Sequence, residues 1–220
     1  MKTLVVAPHP DDEVLGVGGT LFRRKDEGHS LGWLIVTSIN AKDGWTEKQI
    51  AKRKQEVQEI SHLYSFSETY ELEIPTTQLD VIPMKELVGA ISAVFASFQP
   101  NEVFIPHWGD VHSDHQKVFK AVASSSKWFR NPSINRILAY ETSSETGFGL
   151  NPNESFIPNV FIDISSYLNN KIDAMQVYES ELGQHPFPRS KESIQSLATI
   201  RGASCGFKFA EAFQLLREYL

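Results

Sequence analysis

The stretch that decides the fold is Thr3-Leu4-Val5-Val6-Ala7-Pro8-His9-Pro10-Asp11-Asp12-Glu13. Thr3–Ala7 reads as a strand, because a continuous apolar run suits a strand covered on both faces. It runs straight into two prolines, a histidine and three carboxylates. A helix is expected over Asp12–Glu27, ending at Gly28, and Leu31–Ser38 reads as a second strand. Apolar strands alternating with longer amphipathic segments predict βαβ units and a parallel sheet.

Working outward, Glu47–Tyr64 is long and polar, with Ile50, Val57, Ile60, Leu63 and Tyr64 near helical spacing. Further strands are expected at Thr69–Leu72, Glu102–Ile105 and Arg136–Tyr140, and further helices at Met84–Phe98 and about Asp114–Ser125. Ser143–Pro158 is rich in Gly, Pro, Asn and Ser and reads as a long loop, which in a compact domain is usually functional. A last strand over Asn159–Ile164 and a helix over Ser165–Leu182 complete the pattern. The expectation is an α/β fold: a Rossmann-like open, mostly parallel sheet with helices on both faces. One domain spans residues 1–220, with 143–220 an extension packed on the core sheet. In such sheets ligands collect at the C-terminal ends of the strands.

Composition narrows the function classes. The 220 residues carry 21 Lys+Arg against 27 Asp+Glu, a formal charge of −6, with no basic run. That lacks the footprint of a general nucleic-acid binder. No run approaches the roughly 18 apolar residues of a membrane span. The opening apolar segment is too short for a signal-peptide core, so a cytoplasmic chain is expected. A single cysteine, Cys205, excludes an internal disulfide framework.

Two clusters carry chemistry. One is His9-Pro10-Asp11-Asp12-Glu13 after the first strand. The other is His107-Trp108-Gly109-Asp110-Val111-His112-Ser113-Asp114-His115 after the strand at 102–105. Imidazole and carboxylate together suit Zn²⁺ or a similar divalent ion, with two ligands from one loop and a third from another. Helix capping by Asp11, Asp12 or Asp114 is the competing reading, but it leaves His9 and the paired carboxylates unexplained. Spacing alone does not choose between Asp11 and Asp12 as the residue facing the metal.

The chain resembles the LmbE-like, or PIG-L-like, family of zinc-dependent de-N-acetylases. Pro8-His9-Pro10-Asp11-Asp12-Glu13 matches its N-terminal signature, and His112-Ser113-Asp114-His115 matches its HxDH signature. Arg53 with Glu56 matches a third feature. Arg201-Gly202, Gly206 and Ala210-Glu211-Ala212-Phe213 match its C-terminal pattern. The resemblance implies that His9, Asp12 and His115 bind Zn²⁺, with Fe²⁺ as an alternative metal. It implies that Asp11 is the general base acting on a zinc-bound water. His112 would face it, stabilising the oxyanion or protonating the leaving amine, with Asp114 holding the His112 imidazole. Arg53 would contact substrate. The implied activity is removal of the acetyl group from an N-acetylglucosaminyl-type amino sugar. The partner is thus a small molecule, with no nucleic acid or membrane, and relatives that assemble make a homo-oligomer compatible.

Two other readings share these residues: an amidohydrolase acting on a non-sugar N-acyl amine, and a catalytically silent sugar-binding relative. Other features are assigned blander roles. Gly16, Gly18 and Gly19 have the wrong order and place for a phosphate loop and are read as close helix packing. His107 and Asp110 are read either as partners of the second cluster or as rim residues. Arg53 between Lys52 and Lys54 also fits a solvated helix face.

Overall fold

The computed structural model describes residues 1–220. In chain order the strands are β1 (Lys2–Ala7), β2 (Ser30–Ser38), β3 (Glu68–Pro75), β4 (Glu102–Pro106), β5 (Arg136–Tyr140), β6 (Val160–Asp163) and β7 (Ala210–Glu218). The helices are α1 (Asp12–Asp26), α2 (Glu47–Tyr64), α3 (Met84–Phe98), α4 (Ser113–Ser125), α5 (Leu168–Val177) and α6 (Lys191–Ala203). One seven-stranded sheet runs in the order β3-β2-β1-β4-β5-β7-β6. The first five strands pair in parallel; β7 is antiparallel to both β5 and β6. The fold is the open, mostly parallel α/β sheet expected from the sequence.

The apolar run of β1 is explained by its central place. Val5 and Ala7 join a core with residues of α1, α2, α5 and α6, while Leu4 and Val6 join a second core with residues of α3 and α4. Alternate side chains of one strand therefore serve both layers. After β1 the chain crosses to β2 on one side, and β4 lies on the other. This reversal of direction leaves a crevice at the C-terminal ends of β1 and β4, where a doubly wound sheet binds its ligand. The two acidic, His-rich segments open from these two strand ends.

In the last third of the chain, β6 falls within the strand expected over Asn159–Ile164, and β7 joins it to β5 in the same sheet. The helix expected over Ser165–Leu182 is only Leu168–Val177, followed by a separate short turn at Glu179–Glu181. Helix α6 and strand β7 have no counterpart in the sequence expectations. Glu211 of β7 explains part of the C-terminal pattern. It accepts hydrogen bonds from the backbone N–H groups of Gly19 (2.9 Å) and Thr20 (2.7 Å) and pairs with buried Lys171 at 2.6 Å. Lys171 also donates to the Leu15 carbonyl at 2.8 Å. The pair is well satisfied, as a buried ion pair must be, and it fastens α1 to the far side of the sheet.

Helix α1 lies unusually close to the sheet. A Cβ added at Gly16 would sit 2.2 Å from the Tyr140 ring, and one at Gly19 would sit 2.7 Å from Ile164. Tyr140 is fully buried and its hydroxyl donates to the Val6 carbonyl at 2.9 Å, so the ring cannot swing aside. Gly16→Ala should therefore cost about 1–3 kcal/mol by overpacking. Thermal unfolding should show the loss, and a variant as stable as the parent would contradict this packing account.

Candidate metal centre

The turn from β1 into α1 is strained at one residue. Asp11 has φ 136°, outside the ordinary region for a side chain with a Cβ. Its N–H donates to Glu13 Oε2 at 3.1 Å, and its carbonyl accepts from Val14 and Leu15 N–H. The turn is thus held from within, but Asp11's side chain makes no capping bond to the helix. Its Oδ2 instead receives Arg189 Nη1 at 2.9 Å. Asp12, next along the chain, turns the other way. Its Oδ2 accepts the His9 backbone N–H at 2.9 Å and lies 3.3 Å from both His9 Nδ1 and His115 Nε2.

His115 arrives from the first turns of α4. Asp110 Oδ2 lies 2.8 Å from its Nδ1, which leaves Nε2 turned toward Asp12. His9 is held likewise, with Asp114 Oδ2 3.1 Å from its Nε2. Each ring therefore has a carboxylate on its outer nitrogen, an arrangement typical of histidines that ligate metals. One donor atom each from His9, Asp12 and His115 lies within 4.8 Å of the others. His9, His112 and Asp114 form a second set under the same limit, sharing His9. Two imidazoles and one carboxylate converging from two loops fit a divalent ion such as Zn²⁺.

Electrostatics favour a cation here. Asp11, Asp12, Glu13, Asp110 and Asp114 are all buried at this end of the sheet. Burial pulls the His9 pKa down, but its contacts with Asp114 and Asp12 prevail and raise it to about 9. Burial likewise disfavours charged His115, yet Asp12 and Asp110 hold it well above the usual histidine range. Asp12 is pushed up by burial and more than pulled back by His115 and His9, ending below the usual carboxylate range. Asp11 is pushed up to about 7, first by burial and then by the neighbouring Asp12 charge, against the pull of Arg189. Burial, followed by His9 and His115, lowers the pKa of His112.

One sequence expectation is corrected. Asp114 does not hold the His112 imidazole. Its carboxylate faces His9 and accepts the backbone N–H groups of Thr77 (2.8 Å) and Leu79 (3.4 Å). The Asp114 backbone N–H instead donates to His112 Nδ1 at 3.1 Å, and His112 caps α4. Arg53 is not on a solvated helix face. It donates to the Pro10 carbonyl at 2.8 Å, pairs with Glu56 at 3.1 Å and with Glu181, and borders the cavity beside Asp11. Three contributors escaped sequence reasoning. Arg189 and Glu181 pair with each other at 3.2 Å, and Glu145 lines the same cavity. No local pattern marks any of them. Asp110, read as either partner or rim, is a partner.

The cavity over these groups is about 240 Å³, with His9, Asp11, Asp12, His112 and His115 on its floor. Its apolar walls are few, chiefly Ile39 and Trp45.

Residues 4–126 match the family model described as PIG-L: GlcNAc-PI de-N-acetylase. The chain belongs to the PIG-L family. Among curated relatives of this PIG-L protein, the diacetylchitobiose deacetylase of Thermococcus kodakarensis is 24% identical, covering 98% of this chain and 83% of its own. A conserved protein of Thermus thermophilus superposes with a TM-score of 0.79 at 27% identity, covering 99% of this chain and 96% of its own. The 4-carboxy-2-hydroxymuconate hydratase of Pseudomonas putida superposes almost as well, with a TM-score of 0.78 at 18% identity, covering 100% of this chain and 98% of its own. The PIG-L fold therefore does not by itself choose the reaction, and the side chains must.

Glu13 yields a prediction for metal-free protein. Burial raises its pKa from an ordinary 4.5 to about 8, against the stabilising hydrogen bonds from Tyr178 and the Asp11 N–H. The folded state then holds a proton that the unfolded state releases. Glu13's contribution to stability is full below about 4.5 and is lost as pH rises through about 8. Glu13→Gln can keep both contacts, its amide oxygen accepting the Asp11 N–H and its amide nitrogen donating to the Tyr178 hydroxyl, and it never ionises. Its melting temperature relative to the parent should rise steadily between those pH values, and a constant offset would contradict the assignment.

Proposed function

We propose that the chain is a metal-dependent N-deacetylase, with Zn²⁺ held by His9, Asp12 and His115, that releases acetate from an N-acetylated amino sugar. The observation that carries this reading is the convergence of those three donors beside Asp11, a carboxylate that is in the cavity but outside the ligand set. A divalent ion held by His9, Asp12 and His115 would polarise an amide carbonyl and lower the pKa of water to about 7.

The protein's own groups supply the rest. Asp11, oriented by Arg189 at 2.9 Å, takes the proton from the attacking water. An amine leaves poorly unless its nitrogen is protonated, so Asp11 then delivers the same proton to it. His112 Nδ1 accepts a backbone N–H, which places the ring proton of the neutral imidazole on Nε2. His112 therefore serves as a donor to the oxygen on which negative charge develops, and not as the acid for the amine. Asp114 supports the ligand His9, and Arg53 borders the substrate space. A cavity walled by Thr37, Ser38, Thr76, Ser144 and Glu145 offers partners to hydroxyls, which favours a sugar over a greasy N-acyl amine.

Incubating zinc-loaded protein with a panel of N-acetyl amino sugars and N-acetyl amino acids should release acetate from the sugars. Release from the amino acids alone would favour the non-sugar amidohydrolase. Asp11→Ala should lower turnover by about 100-fold or more while zinc content stays near the parent's. His115→Ala should lose the metal. An Asp11→Ala protein without zinc, or a His115→Ala protein with full occupancy, would remove that residue from its role.

A further inference from the structure

We propose that Asp110 is a positioning residue that couples the 142–154 segment, whose Ser144 and Glu145 wall the cavity, to the imidazole of His115, so that metal binding and seating of that wall stabilise each other. The inference rests on reading His115 as a metal ligand.

Asp110 is fully buried, and its two carboxylate oxygens take different partners. Oδ2 lies 2.8 Å from His115 Nδ1, while Oδ1 accepts the Thr146 hydroxyl at 2.6 Å. Thr146 is the pin of a tight turn. Its Oγ1 accepts the Thr142 N–H at 2.8 Å, and the N–H groups of Glu145 (2.9 Å) and Thr146 (2.8 Å) donate to the Thr142 carbonyl. Ser144 and Glu145, which face the cavity, ride on this turn. A second fastening lies further along. His107 Nε2 sits 2.7 Å from the Glu154 carbonyl, and a Cβ at Gly109 would fall 2.1 Å from that same oxygen. The wall is thus seated on the β4–α4 segment at both ends, and one seat is the carboxylate that orients a ligand.

The chemistry makes the connection two-way. A carboxylate on Nδ1–H fixes the tautomer with the lone pair on Nε2 and strengthens the ring as a donor to a cation. Removing the Thr146 hydroxyl would leave a buried carboxylate oxygen unpaired and Asp110 free to rotate away from His115. Whatever the wall gains from a bound ion, the ion gains from the wall by the same factor.

The test measures zinc affinity by chelator competition and amide hydrogen exchange over 142–148, with no substrate present. Asp110→Asn should weaken zinc binding about 10–100-fold. Thr146→Val, which keeps shape but not the hydroxyl, should weaken it by up to about tenfold, and Thr146→Ser should restore it. Asn153→Ala, on the exposed part of the loop, should leave affinity unchanged. Zinc should slow exchange over 142–148 in the parent but not in Thr146→Val. Parent-like zinc affinity in Thr146→Val, zinc that leaves exchange unchanged in the parent, or a parent that binds no divalent ion would each overturn the coupling. The expected affinities without acetate release from any sugar would sustain the coupling and remove only the deacetylase reading.

Discussion

The structure depends on how five buried carboxylates at one end of the sheet are kept compatible with folding. Asp11, Asp12, Glu13, Asp110 and Asp114 lie where β1 and β4 end. Isolated charges in such a place would cost several kcal/mol each. His9, His115 and Arg189 offset them, Glu13 escapes by holding its proton, and the histidines rise in pKa to carry charge. So concentrated a set of carboxylates suits a divalent cation, and the two histidines present their inner nitrogens toward Asp12.

Much of this was legible because it is local. The buried strand, its turn and α1 follow from Thr3–Glu13 alone, and α2 and α3 end at the residues where the apolar periodicity ends. The adjacency of His9-Pro10-Asp11-Asp12 and of His112-Ser113-Asp114-His115 to strand ends, together with a sheet reversing between β1 and β4, brings the two clusters together. What the sequence hid is what depends on contacts across the fold. Arg189 reaches Asp11 from 178 residues away, and Glu211 reaches α1 from 191 and 192 residues away. Helix α6 carries few buried positions, Ile194, Ala198 and Gly202 among them, and β7 has exposed residues at its end, so neither has a strong pattern.

The break of the expected 165–182 helix at Tyr178 has a physical reason. Ending at Val177 lets the Tyr178 hydroxyl donate to Glu13 at 2.8 Å and brings Glu181 between Arg53 and Arg189. Local helix propensity gives way to the partners that the buried acidic turn needs. The same logic accounts for Asp114. Two residues from His112 in sequence, it is committed in space to His9 and to the segment after β3, because those groups have backbone N–H donors and a ring nitrogen to satisfy.

The central claim, that the β1 and β4 loops hold one divalent ion between them, is tested most directly by X-ray absorption at the zinc edge on protein reconstituted with one equivalent of zinc. Nitrogen and oxygen neighbours at about 2.0–2.2 Å, with the multiple scattering of two imidazoles, are expected. Oxygen neighbours without imidazole scattering, or sulfur from Cys205 bound to the metal, would contradict it.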